Sequence, residues 1–180
     1  KVLRTYSRDC QGNLPAIITS YHENGTPRQY LEVVNTRAFG TYKEWHPNGQ
    51  LKLEGNIIEG NADIAAGCEK SWIFDGCAKA WSECGTLEAE IFYNKGKLTD
   101  ISTYYHQNGN IWKSIPYCDN KIDGIVEIHY SDGTLLQKMS FIDGIKNGES
   151  QRFWQNGQIA AEEEYCEGQL VTGRYLDSCG

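Results

Sequence analysis

His22, His46 and His106, together with Cys68, Cys77 and Cys84, are the side chains of this sequence whose types could hold a metal ion or supply a nucleophile. Zinc requires its nitrogen and sulfur ligands about 2 Å from one ion. Each of the three histidines stands three residues before a glycine, at Gly25, Gly49 and Gly109. They therefore share a phase of a repeat, with neighbours roughly 10 Å apart at the usual spacing of strands. That arrangement disfavours a shared metal and reads as a packing column of amphipathic rings. The three cysteines are separated by eight and six residues, whereas zinc knuckles use about two to four. Their proximity leaves one disulfide among Cys68, Cys77 and Cys84 open. An odd total of seven argues against complete pairing within the chain and leaves the redox compartment open. There is no nucleophile elbow, phosphate-binding glycine loop or metalloprotease helix motif. Asn24-Gly25-Thr26 matches the glycosylation acceptor, but Asn-Gly recurs elsewhere as a turn signal and is read as one here. These residues point to no catalytic group, no metal and no cofactor, and to a protein that is not an enzyme.

The elements that carry these residues follow from the glycines. Gly25, Gly49, Gly85, Gly109, Gly133 and Gly157 are separated by four gaps of 24 residues and one of 36. A fixed period marks a chain built from one repeated supersecondary unit. Asn or Asp precedes five of these glycines and Cys84 the sixth. Asn-Gly and Asp-Gly predict two-residue type I′ hairpin turns, with Cys84-Gly85 the weakest of them. Partly alternating aromatic-rich runs flank each turn, as half-buried strands do. Glycines recur eleven residues later at Gly60, Gly96, Gly144 and Gly168, and fifteen later at Gly40, Gly124 and Gly148. They predict a second, longer turn into the next unit. The expected fold is all-β, an elongated meandering antiparallel array of about six hairpin repeats forming one domain over residues 1–180. The units run 17–40, 41–75, 76–100, 101–124, 125–148 and 149–172, with partial units 1–16 and 173–180. The extra 12 residues of the long gap place an inserted loop at 61–75.

Three columns are predicted to share the core face, provided the turn loop has two residues: Pro27, Leu51, Leu87, Ile111, Leu135 and Ile159; Val33, Ile57, Tyr93, Tyr117, Phe141 and Tyr165; and the histidine column. The opposite face would carry an aromatic row, Tyr21, Trp45, Trp81, Tyr105 and Phe153, interrupted by His129, beside Glu54, Glu90, Lys138 and Glu162. Cys10, Cys118 and Cys166 share a phase with Val34, Ile58 and Ile142, which predicts small apolar packing positions.

A net charge of −7 disfavours nucleic acid and acidic membrane lipid as partners, since both reward cationic surfaces. No apolar run approaches the roughly 20 residues of a membrane-spanning helix. The chain begins at Lys1 rather than Met, so it reads as a processed protein or a piece of a longer one. Secreted, cell-envelope and cytoplasmic locations all remain open.

Trp45-His46-Pro47-Asn48-Gly49-Gln50-Leu51-Lys52-Leu53-Glu54-Gly55-Asn56, Phe153-Trp154-Gln155-Asn156-Gly157-Gln158-Ile159 with Glu162 and Tyr165, and Tyr104-Tyr105-His106-Gln107-Asn108-Gly109 carry a pattern that resembles the bacterial variant of the MORN repeat. The resemblance covers most of the chain, and the Cys84-Gly85 unit and the loop at 61–75 depart from it. It implies a β-hairpin array without catalytic residues. MORN repeats are associated with protein scaffolding and, in some proteins, with membrane lipids. Bacterial variants often carry an antitoxin-like label, which would imply masking a partner protein.

The expected function is a non-catalytic module that binds a protein through Tyr21, Trp45, Trp81, Tyr105 and Phe153 and through Trp72, Ile73 and Phe74 of the inserted loop, because aromatics bury large area at low entropy cost. For the loop, packing back on the sheet is the competing expectation. The alternative is a carbohydrate-binding or cell-envelope protein, with a glycan stacked on the aromatic ladder.

Overall fold

The computed structural model describes residues 1–177, so the last three residues of the final partial unit lie outside the described residues. Apart from one 3-10 turn at Cys68–Ser71, every regular element described is a β-strand. The chain divides into two compact units, Lys1–Lys97 and Leu98–Gly180. Unit 1 contains β1 (Val2–Tyr6), β2 (Pro15–Tyr21), β3 (Pro27–Val34), β4 (Arg37–Trp45), β5 (Leu51–Glu59), β6 (Ile73–Phe74), β7 (Gly76–Trp81) and β8 (Leu87–Asn94). Unit 2 contains β9 (Lys97–Tyr105, beginning one residue before the division), β10 (Ile111–Cys118), β11 (Lys121–Ile122), β12 (Gly124–His129), β13 (Leu135–Ile142), β14 (Ile145–Phe153), β15 (Ile159–Cys166) and β16 (Gln169–Tyr175). Within each unit consecutive strands pair antiparallel, and the short β6 and β11 attach beside the meander to β5 and β10. No helix among the described residues is long and apolar enough to cross a membrane.

The two kinds of turn are the reverse of what Asn-Gly suggests. At Gly25 the peptide N–H of Gly25 donates to His22 O (3.0 Å) and His22 N–H donates to Thr26 O (2.9 Å). That encloses three residues, a turn followed by one left-handed glycine at φ 87°. The same pair of bonds recurs at Gly49, Gly85, Gly109, Gly133 and Gly157. Cys84-Gly85 thus makes the same turn as the Asn-Gly sites, because only the glycine needs positive φ. The two-residue turns lie at the other end of the strands. Asn35-Thr36, Asp119-Asn120, Asp143-Gly144 and Glu167-Gly168 have positive φ at both positions, between the pairs Val34–Arg37, Cys118–Lys121, Ile142–Ile145 and Cys166–Gln169.

Three residues past each turn glycine a strand residue is left without a cross-strand partner: Arg28, Lys52, Glu88, Trp112, Leu136 and Ala160. This bulge and the third loop residue each shift the alternation by one, so together they restore it. The Val33 column therefore faces the core as expected: Val33 and Ile57 are buried. The column between turn and bulge does not. Pro27, Leu51, Leu87, Ile111, Leu135 and Ile159 pair with the aromatic row on the opposite face. Their assignment to the core is corrected by the loop length on which it depended.

Across the middle of the core face, most pairs match a large residue against a smaller one, Tyr42–Gly55 and Ala78–Ile91 in unit 1 and Ser102–Ile115 and Ser150–Glu163 in unit 2, whereas Ile18–Leu31 and Val126–Met139 join two sizeable apolar residues. With the exception of the bulge residue Ala160, the buried strand side chains all point to this face. In unit 1 the inserted loop closes over it. Trp72 is 9% exposed and lies on Tyr42 with ring centroids 4.7 Å apart. Its indole N–H donates to Asn61 O at 3.0 Å. Ala62, Ile64 and Phe74 pack on the same cluster, and Phe74 pairs with Ile57 through β6. Gly60 permits this closure, since a Cβ there would lie 2.4 Å from the Trp72 ring. Among the described residues of unit 2 there is no such insert. There the column of Val33, Ile57 and Tyr93 continues as the half-buried aromatics Tyr117, Phe141 and Tyr165.

The phase of Cys10, Cys118 and Cys166 does not give buried packing positions. All three are exposed, because Cys118 and Cys166 are the last strand residues before two-residue turns and Cys10 lies in a turn. Cys68, Cys77 and Cys84 are free thiols, as are the other described cysteines.

Trp72→Ala should cost about 3 kcal/mol, because it empties the cover of the unit 1 core; a urea midpoint unchanged from wild type would contradict that role. Burial and the nearby Glu44 and Glu69 carboxylates push the Tyr42 phenol up to about 12, against a hydrogen bond from Gln29 that pulls it down. A raised phenol favours the folded state in its neutral form. That contribution is complete below pH 10 and is lost as pH rises to about 12. The urea midpoint should fall across this window, and Tyr42→Phe should flatten the fall.

Candidate functional site

Among the described residues, the face opposite the core carries no buried strand residue other than the bulge at Ala160, and it is the surface each unit offers. Two rows cross it. The first is the aromatic row with its aliphatic partners. In unit 1 it reads Tyr21–Pro27, Trp45–Leu51 and Trp81–Leu87; in unit 2, Tyr105–Ile111, His129–Leu135 and Phe153–Ile159. All six aromatic-row side chains are half-buried, and each stands opposite an aliphatic residue in the cross-strand register.

The second row is a ladder of charges. In unit 1 the cross-strand order is Tyr30, Lys43, Glu54, Lys79, Glu90, with signs alternating along the last four. Lys43 meets Glu54 at 3.1 Å and Lys79 meets Glu90 at 2.7 Å. In unit 2 the order is Thr103, Ser114, Glu127, Lys138, Gln151, Glu162, Arg174, closed by an Arg174–Glu162 ion pair. Pairs this exposed to water contribute little to stability. Their consequence is a face with local charge and little net field.

Both rows are held in place by bonds between successive turns. The Nε2–H of His22 donates to Trp45 O, that of His46 to Trp81 O and that of His106 to His129 O, at 2.9, 2.9 and 3.0 Å. Tyr130 continues the column with its hydroxyl on Phe153 O at 3.1 Å. The amides of Asn24, Asn48 and Asn108 donate to Pro47 O, Glu83 O and Ser131 O at 2.7, 2.7 and 2.6 Å. The same Asn side chains accept from the N–H two residues on. The ring nitrogens of the three histidines are thus engaged with backbone carbonyls. Each fixes the backbone of the next aromatic residue. Among the described residues, no group of three or more His, Cys, Asp and Glu could hold a metal ion.

Of the expected contact residues, Tyr21, Trp45 and Trp81 lie together on the open face of unit 1, and Tyr105 and Phe153 on that of unit 2. The insert residues do not join them. Trp72 and Phe74 belong to the core face, and Ile73 rests against the backbone at Gly96. Lys43, Lys79 and Glu127 complete the charge row and were not singled out in the sequence. The signal for them lies six residues before Gly49, Gly85 and Gly133, in a column whose chemistry varies from Thr to Lys to Glu.

The family model for the MORN repeat variant matches residues 40–58, 101–119, 122–143 and 146–167. Each matched segment is one hairpin around a three-residue turn. The β2–β3 and β7–β8 hairpins have the same turn, bulge and face assignment without matching. A search of curated proteins finds no match.

Asn48→Ala should lower stability by about 1 kcal/mol through loss of one inter-turn bond and one turn bond. Asn48→Asp should cost more than Ala at neutral pH, because it sets a carboxylate against Glu83 O. The order of the two urea midpoints decides whether the inter-turn donor matters.

Proposed function

We propose that these repeats form a non-catalytic binding module whose open face receives a protein partner. Repeats of this kind occur in modules that bind proteins or membranes. The observation that carries the reading is the division of labour between the faces. The core, the insert and nearly all buried strand side chains use one face, while the other keeps a row of half-exposed Trp and Tyr beside a ladder of paired charges. A half-exposed aromatic row on a rigid sheet offers large area without loss of backbone freedom on binding. The alternating ladder suits a protein surface of matching alternation better than a uniformly charged polymer or membrane. A partner whose own activity is silenced on binding would make the module antitoxin-like.

The test places a photo-cross-linking side chain at Asn56, exposed on the open face, and separately at Gln107 in a turn as the control. Asn56 should give a discrete protein adduct and Gln107 none. Trp45→Ala, combined with the Asn56 probe, should reduce the adduct about tenfold while the strand-rich circular dichroism spectrum is kept. Equal adducts from both positions, or none from Asn56, would remove the reading.

A further inference from the structure

On the open face of unit 1, beside the two-residue turn of β3 and β4, lies a cleft of about 640 Å³ whose walls include Ile17, Val34 and Phe39 and whose floor holds the Glu32 carboxylate. A second cleft of about 310 Å³ continues it past Phe39 and Val34. Phe39 is 51% exposed and Ile17 37% exposed, so apolar surface stands open to solvent on both sides of the carboxylate.

Glu32 is held rigidly. Tyr30 donates its hydroxyl to one carboxylate oxygen at 2.9 Å, and the Thr41 N–H donates to the other at 2.7 Å. The backbone at Gly40 comes so close that a Cβ there would lie 2.3 Å from that oxygen, and φ is 112°. Side chain and backbone are thus built around each other. Both donors are neutral, and among the described residues no lysine, arginine or histidine pairs with Glu32. Its cross-strand neighbour is Ile17, where the charge row beside it pairs Lys with Glu. Of the five later repeats, four hold Asn56, Phe92, Pro116 and Ser140 at the corresponding position and the last holds Glu164, so a carboxylate here is not a general feature of the repeat. A pre-positioned anion flanked by open apolar walls matches a cation carried on an apolar stem.

We infer that this cleft anchors a segment of a partner protein that presents a lysine or arginine next to an aliphatic or aromatic side chain, the cation meeting Glu32 and the apolar neighbour lying against Phe39 and Ile17. The inference rests on the open-face reading and adds the chemistry of one contact. The chain's net charge of −7 favours approach of such a segment.

The probe is a short peptide alternating lysine and leucine, with a counterpart carrying glutamate for lysine, titrated into the full isotope-labelled chain while backbone amide resonances are followed. The lysine peptide should move Phe39, Gly40 and Thr41 in a saturable way, and the glutamate peptide should not. Glu32→Gln keeps an oxygen for the Thr41 N–H but removes the charge, and should weaken binding about tenfold, the size of one charge-assisted bond. Phe39→Ala, at a position too exposed to matter for folding, should also weaken it. Equal shifts from both peptides, an unchanged affinity in Glu32→Gln, or no saturable shift at these three amides would each overturn the inference. Saturable shifts confined to the aromatic row would overturn it while leaving the open-face module standing. Loss of the Asn56 adduct alongside intact shifts at Gly40 would instead remove the module reading.

Discussion

In an antiparallel sheet the parity of the residue count decides which face a side chain reaches, so one extra residue in a turn moves a whole strand's side chains across the sheet. Everything else in this molecule depends on that count. Each repeat has a three-residue turn at one end, an unpaired bulge residue three positions past the turn glycine, and, in most repeats, a two-residue left-handed turn at the other end. The odd loop and the bulge offset one another. The apolar positions beyond the bulge thereby return to one face repeat after repeat, and the short segment between turn and bulge is delivered to the other.

That division explains how the described strands of unit 2 bury side chains on one face of a single sheet. Small residues stand opposite large ones, as Ser102 opposite Ile115 and Ser150 opposite Glu163, on the face that also carries the half-buried Tyr117, Phe141 and Tyr165. In unit 1 the phase begins with the smaller Val33 and Ile57 and reaches an aromatic only at Tyr93, and the insert folds over the two smaller residues, with Trp72 on Tyr42. The insert is therefore part of the core of its unit. The surface left for a partner is the face it does not touch.

The polar residues that look like chemistry serve the same geometry. His22, His46 and His106 donate to the backbone of the next aromatic residue, and Asn24, Asn48 and Asn108 donate to the backbone of the next turn. These bonds set the spacing of the aromatic row within each unit. A histidine column with a period of one repeat cannot gather around an ion, but it can join each repeat to the next.

The sequence by itself determined the repeat, its period, the position of the insert, the β class and most of the face assignment, because glycine at a left-handed position and alternation along a strand are local properties. The columns of Val33 and of Tyr21 to Phe153 were legible for that reason. Loop length was not, since Asn-Gly serves a three-residue turn with one left-handed glycine as well as a two-residue turn with two left-handed residues; hence the misplacement of Leu51 and its equivalents. The exposure of Cys118 and Cys166 followed from where the second turn falls, which the same ambiguity concealed. Only the tertiary structure decided that Trp72 belongs to the core, because its partner Tyr42 is thirty residues away in the chain. It alone set Glu32 among Ile17, Phe39 and Gly40, where cross-strand register and a bulge bring together residues that no local spacing connects.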